Sequence, residues 1–216
     1  MEKLAFGDCN TILLDKLFGL RRQPKMIDLD NWLALAKKTT ISRREREGCT
    51  ELQNLLSKNV FYWNEQDLAL HFIGPMFSKI DFTEPYRFNL FAERSISSTV
   101  GNYELFGKPD ELIATGYGEP EIPFFAFQEY KREKDPNGDP AGQCLAAMLV
   151  GQTKNDNDLP IFGSYVIGRD WYFMILQQTH YAVSRDFSAI TNDIFDIFKI
   201  LKTLKAIIMQ RTAHLV

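Results

Sequence analysis

The sequence predicts an α/β fold, with a central mixed sheet flanked by helices and a helical extension at its N-terminal side. Three observations carry this expectation. Residues 1–60 are polar-rich with helical spacing, residues 86–183 are dominated by strand-length apolar runs, and a capped helix interrupts those runs near residue 140. The 216 residues are enough for one well-buried core. The expected division is an extension over residues 1–60 and a main domain over 61–216.

Composition narrows the function classes. A formal charge of -3 gives no global basic field, so a nucleic-acid partner would have to be held by a local patch. Cys9, Cys49 and Cys144 lie far apart and form neither a disulfide framework nor a CxxC pair. His71, His180 and His214 are equally scattered, which argues against a zinc site. Glu2, Lys3, Asp8 and Asp15 interrupt the start, unlike a signal peptide, and no apolar run approaches the roughly 18 residues of a membrane span. The expected setting is cytoplasmic, without a membrane partner.

Taken in order, Thr11 to Phe18 reads as a short helix stopped at Gly19. Arg21 to Lys25 is a loop, Asp30 to Lys38 a second helix, and Ser42 to Lys58 a third. In the third, Arg43, Arg44 and Arg46 interleave with Glu45 and Glu47, the pattern of a solvated, self-paired face. Asn64 caps the next helix, with Glu65 and Asp67 in its first turn. Leu68, Phe72 and Met76 follow at a four-residue spacing, and a kink is expected at Gly74–Pro75.

Strand patterning begins at Tyr86. Arg87 to Thr99 and Asn102 to Leu105 suggest a hairpin around Gly101–Asn102. A strand opened by Pro109–Asp110 follows, and then another from Phe124 to Arg132. Asp139 at the N-cap and Pro140 at the first helical position start a helix expected to stop at Gly151. Ile161 to Ile167 and Trp171 to Leu176 make a second hairpin about Gly168. An amphipathic helix closes the chain, its acids first and its lysines later, as the helix dipole favours.

Two of these strands carry an acid where they leave the core. Side chains alternate along a strand, so Glu129 and Lys131 should share a face, expected to be that of Phe125 and Phe127. Antiparallel pairing of the two strands can bring Asp110 beside Glu129. Two convergent carboxylates suit Mg²⁺ or Mn²⁺, which take a few protein oxygens and otherwise water or phosphate. The backbone carbonyl of Tyr130 is a candidate third oxygen, and Lys131 can orient water or neutralise a phosphoryl group.

Pro109–Asp110 followed by Glu129–Tyr130–Lys131 resembles the signature of the PD-(D/E)XK, or restriction-endonuclease-like, nucleases. The order of helix, hairpin, PD strand, ExK strand and helix is similar to theirs over roughly residues 62 to 183, and residues 1 to 60 find no counterpart. The layout is most similar to the nuclease domain of type I restriction motor subunits. The resemblance implies Mg²⁺ on Asp110 and Glu129, phosphodiester hydrolysis assisted by Lys131, and an acid from the preceding helix, here Glu65. A glutamine on the helix after the ExK strand is common in the family and matches Gln143. The implied partner is nucleic acid, DNA first, with a homo-oligomer or a larger restriction or repair assembly open.

PD with a later ExK is a short pattern that chance also produces, and the placement on consecutive apolar strands gives it weight. The competing reading of each residue is structural. Asp110 is a turn residue, Glu65 serves the helix dipole, and Gln143 belongs to a polar first turn. The rival class is a catalytically silent module of the same fold that binds nucleic acid or a protein.

Overall fold

The apolar runs and capped helices fold into an α/β structure, a large mixed sheet flanked by helices. The computed structural model describes residues 1–134 and 136–215. The N-terminal part holds β1 (Glu2–Ala5), α1 (Thr11–Phe18), β2 (Arg21–Arg22), α2 (Ile27–Lys38) and α3 (Arg43–Asn59). Next come α4 (Glu65–Leu68), a π-helical turn (Ala69–Ile73) and α5 (Gly74–Ile80). The strands β3 (Asn89–Ala92), β4 (Ile96–Val100), β5 (Tyr103–Gly107), β6 (Glu111–Thr115) and β7 (Glu121–Lys131) lead to α6 (Pro140–Asn155). The chain ends with β8 (Ile161–Ile167), β9 (Asp170–Gln177), β10 (His180–Val183), β11 (Phe187–Ser188) and α7 (Asp193–Arg211).

The large sheet runs β2-β10-β9-β8-β7-β6-β3, with β11 also pairing β9. Within it, β7 is antiparallel to β6 and parallel to β8. Parallel neighbours need a crossover, and α6 provides it. Asp139 caps α6 through Gly142 N–H at 3.1 Å, and its other oxygen accepts from Thr11 N–H at the start of α1. One carboxylate thus satisfies orphan donors on two helices.

Each face of the sheet carries its own core. One lies under α6, α1 and a small sheet of order β1-β5-β4, and includes Leu14, Leu112, Phe127 and Met148. The other lies under α2, α3, α5 and α7, and includes Trp32, Phe72, Phe162 and Phe198. Trp32 fixes the second layer. Its indole donates to the Ile200 carbonyl at 3.0 Å, and its ring meets Phe162 and Phe173 edge-on at 5.0 and 5.4 Å. Each such pair adds about 0.5–1.5 kcal/mol beyond area burial.

Several expectations need correction. The boundary near residue 60 does not divide the packing. Residues 1–60 are mostly helical, but β1 pairs with β5, β2 pairs with β10, and both cores contain their side chains. The run from Arg87 to Thr99 is two strands in two sheets, broken where Glu93 takes a positive φ of 51°. Ahead of the kink expected at Gly74–Pro75 the helix widens into a π turn, with Gly74 N–H bonded to the Ala69 carbonyl. Pro75 has no N–H to offer, and a wider turn accommodates its ring.

Gly151 does not stop α6, which continues to Asn155. The glycine is there for contact: a Cβ would lie 2.5 Å from the Phe127 ring. Helix and strand approach closely because that atom is missing. Replacing Gly151 with Ala is expected to destabilise the fold by about 1–2 kcal/mol, overpacking of about 1–3 kcal/mol outweighing a helix-propensity gain of up to about 1. Urea unfolding midpoints of native and Gly151→Ala chains check this.

Candidate active site

The site begins where the β6–β7 ladder ends. The last register pair is Glu111 against Gln128, so continuing it sets Asp110 opposite Glu129 and Pro109 opposite Tyr130. Cross-strand partners share a face, which is why the two acids converge. Pro109 locks φ and suits a strand's first positions. Asp110 then takes over the ladder's role, its carboxylate accepting the Tyr130 N–H at 2.7 Å.

Tyr130 is oriented by the same geometry. The Lys131 carbonyl accepts from Gly168 N–H on the β8 side of β7. Successive residues turn their backbone groups to opposite sides, so the Tyr130 N–H and carbonyl both face the Asp110 side. Glu129 and Lys131 share a face, and the Lys131 ammonium donates to Glu129 Oε1 at 2.6 Å with both side chains buried.

The face they share with Phe127 is the α6 face, but Phe125 is not on it. A register shift between β6 and β7 pairs Ile113 with Ala126 and Ala114 with Phe124, leaving Phe125 as the extra residue of a bulge. Phe125 therefore packs with Ala126 in the opposite core. The expectation from strict alternation fails at that one residue.

Glu65 sits half-buried at the first helical position of α4, where Asn64 caps the helix through Asp67 N–H at 2.8 Å. Its charge reaches Asp110, Glu129 and Lys131. Gln143 is buried in the first turn of α6, and a Cβ on Gly138 would lie 2.5 Å from its amide nitrogen. It therefore lies beneath the loop that follows β7. Asn64, Glu65 and Gln66 form one wall of an open cleft of about 370 Å³, with Arg132 and Asn137 on the other.

Electrostatics follow from this crowding. Burial, then the Glu129 charge, pushes the Asp110 carboxyl up to about 7. Burial also raises Glu129, against the lowering pull of Lys131. Burial alone would lower the Lys131 ammonium, but Glu129, Glu65 and Asp110 outweigh it and the net direction is upward. The acids hold more negative charge than one lysine neutralises.

That surplus and the hard oxygen donors fit Mg²⁺ or Mn²⁺, which need only one or two carboxylates when water or phosphate completes the shell. Among the described residues no three His, Cys, Asp or Glu side chains converge as a closed metal-ligand set. The Glu65 charge raises both carboxyls of the pair. No protein-family model matches the chain, and no curated protein is similar to it in sequence.

Sequence reasoning missed a second polar cluster on the reverse face of the same strand end. Glu111, Gln128 and Ser164 are buried across β6, β7 and β8. The Ser164 hydroxyl donates to the Gln128 side-chain oxygen at 2.7 Å, while Glu111 Oε2 and Gln128 Nε2 have no hydrogen-bond partner among the described residues. The adjoining cavity of about 10 Å³ holds nothing larger than about one water. The available signal was an acid opening an otherwise apolar strand, Glu111-Leu112-Ile113-Ala114.

Burial, then the Asp110 charge, raises Glu111 from 4.5 to about 8. The folded state therefore keeps a proton that the unfolded chain gives up, and stability falls as pH rises from about 4.5 to about 8. Glu111→Gln is expected to remove this slope. It should exceed the native chain by a few kcal/mol, on the order of the linkage free energy, above pH 8 and match it near pH 4.5. Urea unfolding across that range checks the prediction.

Proposed function

We propose that the protein is a metal-dependent nuclease of the PD-(D/E)XK type, hydrolysing phosphodiester bonds in nucleic acid with DNA as the expected substrate. One observation carries the reading. Asp110, Glu129 and Lys131 meet on one face at the end of two adjacent strands, within the field of Glu65. Glu65 also lines the neighbouring open cleft.

Asp110 and Glu129 are the residues to hold Mg²⁺ or Mn²⁺, with the Tyr130 carbonyl facing the same edge. A bound ion of this kind polarises phosphoryl oxygens and lowers the pKa of attached water. Lys131 supplies a buried ammonium that orients the attacking water and offsets charge developing on phosphate. Glu65 keeps the field negative at the cleft mouth, and Gln143 supports the loop that carries Gly138. The net-acidic chain leaves phosphate contacts to local cations, so binding should weaken with salt by a small log-log slope, about -0.9 per duplex phosphate contact.

One observation favours the silent-module reading. The Lys131 ammonium already neutralises Glu129 at 2.6 Å, an arrangement that satisfies both groups without a metal. The two readings part in solution. Calorimetry with Mn²⁺ should give binding heat for the native chain and none for Asp110→Ala. Lys131→Met removes no oxygen ligand, so it should keep metal binding while cleavage of single- and double-stranded DNA in Mg²⁺ falls by about 10² or more.

Lys131 is buried rather than superficial, so thermal unfolding of the variant is compared alongside. Equal cleavage by native and Lys131→Met chains would remove the lysine from catalysis. A native chain that neither takes up Mn²⁺ nor cuts DNA leaves the binding module as the function.

A further inference from the structure

The connection between α3 and α4 is unusually aromatic for a surface turn. Phe61, Tyr62 and Trp63 are consecutive, with Phe61 56% and Tyr62 87% exposed. Single exposed apolar residues are common, but adjacent large rings beside a cleft mark a contact surface. The backbone here is ordered by its own hydrogen bonds, Tyr62 N–H and Trp63 N–H both donating to the Asn59 carbonyl. The neighbouring rings are anchored too. Trp63 stacks on His71 at 5.5 Å, and the Arg169 guanidinium covers Phe61 at 5.1 Å.

These anchors tie the aromatic rim to the candidate site. Arg169 ion-pairs with Glu133 at 2.6 Å, in the loop that follows β7. Asn64 and Glu65 continue directly from Trp63 and line the cleft that Arg132 closes on the far side. Three Cα–Cα steps separate Tyr62 from Glu65, so the two Cα atoms lie within roughly 11 Å. At about 3.4 Å per stacked nucleotide, a strand on Tyr62 reaches Glu65 within a few nucleotides.

We propose that Tyr62, flanked by Phe61 and Trp63, is a base-stacking platform that selects a single-stranded segment of nucleic acid and feeds it to Asp110 and Glu129. The inference rests on the nuclease reading of that site and names its substrate class. In a duplex the faces of the bases are covered by their neighbours, whereas an unpaired base offers its face to an exposed ring. Arg169 lies over the adjacent Phe61 ring and Arg132 lines the cleft that continues from Asn64, so a nucleotide entering here meets rings for its base and guanidinium groups for its phosphate.

The test measures fluorescence anisotropy of labelled oligothymidylate, and of the same strand paired with oligodeoxyadenylate, with EDTA present so that nothing is cut. Native, Tyr62→Ala and Tyr62→Phe chains are compared, and cleavage in Mg²⁺ is assayed separately. Tyr62→Ala should weaken single-strand binding about tenfold, the scale of losing one base–aromatic stack, and leave duplex binding unchanged. Tyr62→Phe should match the native chain, because stacking needs the ring and not the hydroxyl. Unfolding midpoints of all three should coincide, since the side chain is exposed.

Equal single-strand binding by native and Tyr62→Ala chains overturns the platform, while DNA cleavage by the native chain keeps the nuclease reading intact. A loss in Tyr62→Phe as large as in Tyr62→Ala overturns stacking in favour of a hydroxyl contact. A native chain that neither binds nor cuts any of these strands overturns platform and nuclease together, and leaves the aromatic rim to a protein partner.

Discussion

The pairing register between β6 and β7 governs the chemistry of this molecule. Glu111 opposite Gln128 fixes Asp110 opposite Glu129, and every further property of the acid cluster follows from that alignment. Because side chains alternate, a slip of one residue would send one of the acids to the other face. The register is held by burial on both sides. Leu112 and Phe127 pack into one core while Ile113 and Ala126 pack into the other, so a slip would expose or misplace all four. The bulge at Phe125 absorbs the irregularity well inside the strand and leaves the last residues regular.

That alignment also gives the strand end two polar faces with different characters. On the α6 face, Glu129 and Lys131 form a buried ion pair beside Asp110. On the α7 face, Gln128 joins Ser164 and Glu111 in a cluster that leaves two polar atoms without a partner among the described residues. Buried ion pairs are weak sources of stability, since desolvation can exceed the Coulomb gain. Unpartnered buried atoms are worse, at about 1–3 kcal/mol each. Both costs fall at one strand end, and violations of the packing rules concentrate at functional sites.

The first 60 residues make this cost affordable through packing. Trp32 in α2 ties α7 to the sheet by a buried hydrogen bond and two aromatic contacts. On the opposite side, the chain at Cys9 and Asn10 runs so close to α6 that a Cβ on Gly142 would meet Asn10 Cα at 2.4 Å. Asp139 fastens α1 to the same helix. The N-terminal segment therefore clamps both layers around β7, and the loop bearing Gly138 rises from a helix start held at two points.

Local chemistry was legible in the amino-acid sequence. Gly19 at a left-handed helix end, Asn64, and Asp139 before Pro140 all act within a few residues of themselves. The same holds for the hairpin at Gly101–Asn102 and for the acid and lysine that end β7. Long-range facts were not legible, because no local energy encodes them. Whether Arg87 to Thr99 serves one sheet or two depends on partners distant in the chain, as do the short strands β1 and β2. Gly151 reads as a helix stop until the Phe127 ring lies against it. Glu111 becomes a buried acid only where β7 and β8 cover it. The residues of the candidate site were present in the one-dimensional pattern, but their convergence belongs to register and packing, since side chains nineteen residues apart meet only when two strands are aligned and held between two cores.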